Sequence, residues 1–503
     1  MKRDELIKKL KQYFKIEELV CPHVYNKYRE EQMWSFFSMA ALETLLVLRE
    51  YIIQKPFIIN NWKSGGSYSQ RGLRCNICAI PKEKTNLEKV YMSAHCFDIQ
   101  TEILTNHGWK NINELSITDL VYNYNIEKKI IEKNHIEKIF DYIYKGDMVK
   151  VNTTNADLFV TDEHRFLLKS PSRKYVRKTS KIFTENQLKY FKTLKTGNEQ
   201  YHFELAKDTV GKNMKFLCAG LKSPLKSDNE ISLLKMCVAV ICDGFIYGKD
   251  EISFKFKKER KCLQLENVLD DLNWKYSKIE FKDGVIGYRL CRENSRQIIS
   301  IIGYEKLIPE DWLELDSYIL KELVFYYAMY DGYFDKRKNS TNIQISSVNK
   351  KNIDFLQIMC VLSGMRAQCK LALKAGRICY IRSKKVQNTK DLYTLSICPN
   401  INETYITRTN TSIEKYEGRV WCIQTQNSTV IVRRNGKVSI QGNCTGEAFD
   451  ITVQGMSAEE ARQLIIKNQD NLPYPIRLED GVNWLHVDTY DMGNGKKITL
   501  FRV

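Results

Sequence analysis

The sequence predicts a multidomain chain of nested units: an α+β unit interrupted by an all-β unit, which itself carries an α/β unit. A split motif is the first sign. Ser93-Ala94-His95 and Cys444-Thr445-Gly446-Glu447-Ala448-Phe449-Asp450 read on from one another as a single small-residue segment, with 348 residues between the halves. The second is a change of texture after residue 96, to short Val/Ile/Thr-rich runs parted by Asn, Asp and Gly, which marks β-structure. The third is an internal repeat. Residues 233–245 (LLKMCVAVICDGF) and 322–334 (ELVFYYAMYDGYF) are apolar runs of helical spacing that close in Asp-Gly-aromatic, with Asp243 and Asp331 88 positions apart. The expected boundaries are 1–95 with 444–503 for the outer unit, 96–220 with 400–443 for the β-unit, and 221–399 for the α/β unit.

A chain of 503 residues is long enough for about three domains with sizeable cores. The net charge of +18 is unevenly placed: residues 96–443 hold 56 of the 78 Lys+Arg and 41 of the 60 Asp+Glu, so the flanks are nearly balanced. Such an excess fits either a polyanion binder or a plain Lys-rich surface. Fifteen cysteines, an odd number without framework spacing, predict reduced thiols and a cytosolic setting. The charged first ten residues lack the apolar core of a signal peptide. The apolar region 33–59 is broken by Glu43, Arg49 and Glu50, which predicts an amphipathic core helix rather than a membrane span.

In chain order, residues 1–54 read as two helices, the second carrying Phe36, Met39, Leu42, Leu45, Leu46 and Leu48 on one face. Pro56 ends that run, and a strand follows at 57–59. The basic loop with Arg71 and Arg74 is either a fork for a substrate carboxylate or a solvated turn. Cys75-Asn76-Ile77-Cys78 is a lone C-x-x-C without a second pair in the flanks, which favours ordinary thiols over a structural zinc. Strands are expected at 148–153, 158–160, 419–425, 429–433 and 437–440, the last two joined by the hairpin signal Asn435-Gly436. One helix at 457–468 and strands around 484–487 and 498–500 complete the chain.

The residue types at the two ends of the 348-residue segment suit self-excision. The Cys96 thiol can attack the carbonyl of His95 and turn an amide into a thioester, because a thiolate is strongly nucleophilic. Cys444 can then capture the acyl group, and Asn443 can close on its own carbonyl and cut the chain. Around these ends, residues 96–105 (CFDIQTEILT), Thr161-Asp162-Glu163-His164, Val420-Trp421-Cys422 and 438–444 (VSIQGNC) resemble the splicing motifs of inteins. That resemblance implies an all-β Hint splicing domain needing no cofactor, in which Thr161 and His164 polarise the scissile amide and Cys422 links the two halves of the reaction. Two positions depart from the pattern: Gly442 stands where most inteins carry histidine, and Cys422 where aspartate is common. The alternative is a hedgehog-type autoprocessing protein that cleaves without ligating; the Asn443-Cys444 end and the continuation of the split motif beyond it favour splicing.

The repeated helical runs resemble the LAGLIDADG homing endonucleases. Small residues (Ala239, Ala328, Gly244, Gly332) let two helices pack closely and bring Asp243 and Asp331 together. Two carboxylates can hold hard divalent cations, Mg²⁺ above all, for phosphodiester hydrolysis. Lys306-Leu307-Ile308-Pro309 matches the family's K-x-I-P motif, which gives Lys306 a catalytic role by resemblance and double-stranded DNA as partner. A degenerate endonuclease that keeps only the fold is the alternative.

Across the gap, the pattern S-x-H-x-x-G-x-A-x-D with the later Trp484-Leu485-His486-Val487-Asp488 resembles the M15 zinc peptidases, the D-Ala-D-Ala carboxypeptidases and phage endopeptidases. It implies zinc held by His95, Asp450 and His486, with one position open for water, and a peptidoglycan peptide as substrate. Asn483 stands where many relatives place the general base; Glu479, Asp480 and Asp488 are the nearby carboxylates. A host that only binds zinc or cell wall is the alternative. A wall hydrolase without a signal peptide implies phage origin, with delivery by lysis or virion.

Overall fold

The computed structural model describes residues 3–34, 36–59, 96–126, 128–136, 138–169, 201–222, 231–335, 337, 341–381, 384–425, 427–443, 448–489 and 496–502. It is a mixed α/β molecule, rich in sheet, with three hydrophobic cores.

One core is built wholly from the two flanks. Leu6, Leu10, Trp34, Phe37, Leu42 and Leu45 pack with Phe449, Ile451, Ile465 and Leu485, and among the described residues none between 60 and 448 enters it. Phe37 and Phe449 stack at 5.6 Å. Strand Phe57–Ile59 pairs antiparallel with Ala448–Val453, which continues a five-stranded sheet through Leu485–Asp488, Ile476–Glu479 and Ile498–Phe501. The long second helix expected at the N-terminus is broken. Ser38 caps a new helix, Met39–Val47, by accepting from the Ala41 N–H at 3.0 Å, and that helix widens into a π-turn at Leu48–Ile52.

The β-unit centres on a closed barrel of strands Phe97–Asp98, Thr411–Gln424, Lys138–Asn152 and Asp157–Thr161. Its hairpin of Thr429–Arg434 and Lys437–Gly442 turns on Asn435 (φ 49°) and Gly436 (φ 73°), two left-handed residues in succession.

The repeat is longer than its helices. Helix Ile231–Asp243 leads into strands Phe245–Tyr247 and Glu251–Phe256, helix Glu259–Asp271, and strands Tyr276–Glu280 and Ile286–Leu290. Helix Ser317–Asp331 leads into Gly332–Phe334, Ile343–Ser347, Lys350–Val361, Arg366–Leu373 and Leu392–Cys398 in the same αββαββ order, with a hairpin of Ile378–Ile381 and Lys384–Gln387 added before the last strand. In both halves the last strand pairs between the second and the third. Only the apolar helices were legible as a repeat, because exposed strands tolerate unrelated side chains.

These two inner units are not separately packed. Lys437–Gly442 pairs with Arg366–Leu373 at Gln368, so one eleven-stranded sheet runs from the β-unit into the α/β unit. Leu104, Tyr122, Ile431 and Ile440 accordingly share a core with Ala239, Leu323 and Ile358.

Candidate functional sites

The ends of the 348-residue segment meet at one short stretch, Thr161 to Arg165. Cys96 is fully buried; its N–H donates to the Thr161 hydroxyl at 2.9 Å, and the Thr161 N–H donates back to the Cys96 carbonyl at 2.9 Å. His164 follows on a turn closed by its N–H to the Thr161 carbonyl (3.0 Å), and its buried ring stands edge-on to Phe97 at 4.5 Å. At the other end, a Cβ on Gly442 would lie 2.6 Å from the Arg165 carbonyl oxygen and 3.0 Å from the Phe203 ring. Arg165 lies over that same ring at 4.1 Å, so the wall facing Gly442 is closely packed. Asn443 is fully buried beside Thr425 and Ser428.

Cys422 is buried with its thiol donating to the Ile423 carbonyl (3.4 Å). The Tyr142 hydroxyl lies 3.1 Å from the Cys96 sulfur. Nothing in the sequence marked Tyr142: it reaches Cys96 only because Lys138–Asn152 folds beside Thr411–Gln424 in the barrel. Cys444 and His95 lie outside the described residues.

At the second site, Asp243 and Asp331 end the two paired helices, where Gly244 and Gly332 let the chain leave. A Cβ on Gly332 would meet the Ala328 carbonyl at 2.4 Å, and one on Gly244 the Val240 Cα at 2.7 Å. Burial first, and then the Asp243 carboxylate, push the Asp331 carboxyl above its ordinary pKa, against the pull of Lys261 and Lys306. Lys261, on helix Glu259–Asp271, pairs with Asp243 and stands 3.6 Å from Asp331. Lys306 has φ 54° and donates to the Gly244 carbonyl at 3.0 Å. Asn352 holds its loop, donating to the Lys306 carbonyl and accepting from the Ile308 N–H, each at 2.9 Å. Lys261 and Asn352 were missed because helical spacing does not reveal which residues face across a sheet. Two partly exposed carboxylates at the helix ends are the oxygen donors a hard divalent ion such as Mg²⁺ takes.

The third site is on the flanking sheet. Asp450 and His486 are cross-strand partners, with Asp450 Oδ1 2.7 Å from His486 Nδ1 and Asp488 Oδ2 3.2 Å from Nε2. Burial lowers the imidazole pKa, but these two carboxylates outweigh it and raise it to about 9. Of the other carboxylates, Glu479 accepts from Trp484 Nε1 (3.3 Å), Asp480 pairs with Arg502 (2.8 Å) and Asp488 with Arg477 (2.9 Å). Asn483 is exposed. Both ring nitrogens of His486 thus face carboxylates, and among the described residues no group of three metal ligands converges; His95, Arg71, Arg74, Cys75 and Cys78 lie outside them.

No family model matches the chain. It is similar to the ribonucleoside-diphosphate reductase subunit beta of Aquifex aeolicus (25% identity; 69% of this chain, 50% of that protein). It is also similar to the DNA-directed RNA polymerase subunit beta C-terminal section of Stigeoclonium helveticum (22%; 69% and 36%). The chain therefore spans half or less of these relatives' lengths. The solved structures it resembles include LAGLIDADG homing endonucleases, among them mesophilic variants of I-DmoI at 14% identity and TM-score 0.24, covering 34% of this chain and 90% of that one.

Proposed function

We propose that residues 96–443 are a self-excising segment of intein type, bearing a nested DNA endonuclease, and that excision joins the flanks into a zinc peptidase. One observation carries the splicing reading: Cys96 bonds to Thr161 while Gly442, 346 positions later, packs on Arg165, so both scissile ends sit at one buried locus. Thr161 bonds the Cys96 amide, and His164, one turn on with its ring against Phe97, is the residue to which we assign the acid–base step at His95–Cys96. A core made of both flanks and, among the described residues, none of the insert supports a host that stands once the insert leaves. Two relatives with unrelated activities in their names match over 69% of this chain, the share that residues 96–443 make up of 503. Matches of that share to two proteins of different named activity support a transferable segment.

For the nested unit, Asp243 and Asp331 would hold Mg²⁺, which supplies water activation and leaving-group stabilisation at a phosphodiester. Lys261 and Lys306 place positive charge at the same end of the helices, and the segment's excess of Lys and Arg suits double-stranded DNA. In the host, Asp450 and His486 would be two of the three zinc ligands, with His95 the third and a peptidoglycan stem as substrate.

Intact mass after expression tests the central reading. Splicing gives a 155-residue host and a free 348-residue insert, and Cys96→Ala gives neither ligated product nor thioester. Ligated host from Cys96→Ala would sink the assignment. For the host, the joined product is expected to bind one zinc and His486→Ala to lose it, read by metal analysis after dialysis; retention by His486→Ala overturns that part alone.

A further inference from the structure

We infer that Thr425 is the positioning residue for the Asn443 amide, holding it for cyclisation at a site that has no room for a penultimate histidine. This rests on the self-excision reading and names a residue that reading does not require.

The Asn443 side chain sits in the turn between Thr411–Gln424 and Thr429–Arg434, where Thr425 is buried and Ser428 takes a left-handed φ of 55°. With its oxygen toward Thr425, Asn443 Oδ1 accepts from the Thr425 N–H at 2.7 Å and lies 3.0 Å from the Thr425 hydroxyl, while Nδ2 donates to the Ser428 carbonyl at 3.2 Å. The opposite orientation sets N–H against N–H and carbonyl against carbonyl, so hydrogen bonding selects the first. The Ser428 carbonyl also accepts the Asn443 backbone N–H at 3.0 Å, so side chain and main chain of Asn443 are held by one turn. The Thr425 hydroxyl can donate to Oδ1 or to the Thr429 carbonyl 2.9 Å away.

Asparagine cyclisation needs that geometry. Nδ2 bonds to the carbonyl carbon of Asn443, the bond from that carbon to the Cys444 nitrogen breaks, and the proton lost from Nδ2 is matched by one gained on the Cys444 amine. The products are a C-terminal succinimide and a free α-amine, with no change of oxidation state. An amide nitrogen is a poor nucleophile because its electron pair is delocalised onto oxygen. As Nδ2 loses its proton, negative charge gathers on Oδ1, where donors already in place stabilise it without reorganisation. The Ser428 carbonyl meanwhile fixes the N–H end. A histidine at 442 is barred by the Arg165 carbonyl, 2.6 Å from where its Cβ would lie.

The test uses the full precursor carrying Cys96→Ala, in which release of residues 444–503 reports cyclisation alone, and in parallel Asn443→Ala, in which dithiothreitol release of residues 1–95 reports the thioester. Adding Thr425→Val is expected to slow C-terminal release about tenfold and leave thiolysis unchanged, while Thr425→Ser restores release to within about threefold. Release at the parent rate in Thr425→Val, a Thr425→Ser as slow as the valine variant, or equal loss of both cleavages would each overturn the inference. If the parents show neither cleavage, the self-excision reading falls and this inference with it.

Discussion

Gly442 lies directly against the backbone of Arg165, with space for hydrogen but not for a Cβ, which would sit 2.6 Å from the Arg165 carbonyl oxygen. The obstruction is backbone, not a side chain that can swing away. Gly442→Ala is therefore expected to displace the Asn443 end and cut ligated product about tenfold, a loss equivalent to about 1.4 kcal/mol in the barrier. Gly442→His is expected to do worse despite restoring the residue most inteins carry. Gel quantitation of host, insert and precursor checks both.

Asp331 closes one of the paired helices, and burial and then the Asp243 carboxylate push its carboxyl above its ordinary pKa. Asp331→Asn removes a hard oxygen charge while keeping the shape. Loss of plasmid cleavage by at least about a hundredfold is expected, with excision unaffected, since the aspartate lies at an exposed helix end outside the packed core. Cleavage assays over a panel of DNA fragments, followed by mass analysis of the same sample, read the two activities separately.

Lys261 pairs with Asp243 and stands 3.6 Å from Asp331. Lys261→Met leaves the two acids facing one another. Thermal stability without metal is expected to fall by about 1–3 kcal/mol, and millimolar Mg²⁺ or Ca²⁺ to restore more of it than in the parent, because a divalent ion takes over the charge balance. Melting curves with and without metal make the comparison.

Lys222, at the junction of the β-unit and the α/β unit, is buried and donates to the Leu313 and Leu315 carbonyls. Desolvation brings its pKa down to about 8, against 10.5 when exposed. Between these values the unfolded chain binds more protons than the folded one, so stability rises with pH across that window, by up to about 3 kcal/mol, and is flat below it. Lys222→Met is expected to remove the slope in urea titrations between pH 7.5 and pH 10.5.

Much of the secondary structure was legible because it follows short-range rules. The Asn435-Gly436 hairpin forms where two left-handed residues are needed, and Ser457 caps the helix Ala458–Lys467 through a capping box with Glu460. The break at Ser38 was not, since an apolar face continues across it and only the Ser38 cap marks the new start. Neither was the extent of the repeat, nor the sharing of one sheet between the β-unit and the α/β unit.

By itself the sequence determined which residues could do chemistry: Cys96, Thr161, His164 and Asn443 at the segment's ends, Asp243 and Asp331 at the helix ends, Asp450 and His486 on the flanks. Residue type and spacing suffice for that, because nucleophilicity and charge are local properties. Only the tertiary structure decided their neighbours. Tyr142 at the Cys96 sulfur, Lys261 between the aspartates and Thr425 at the Asn443 amide come from a strand, a helix and a turn other than those that carry the residues they serve. Contacts of that kind arise from barrel closure and helix pairing, which no local periodicity encodes.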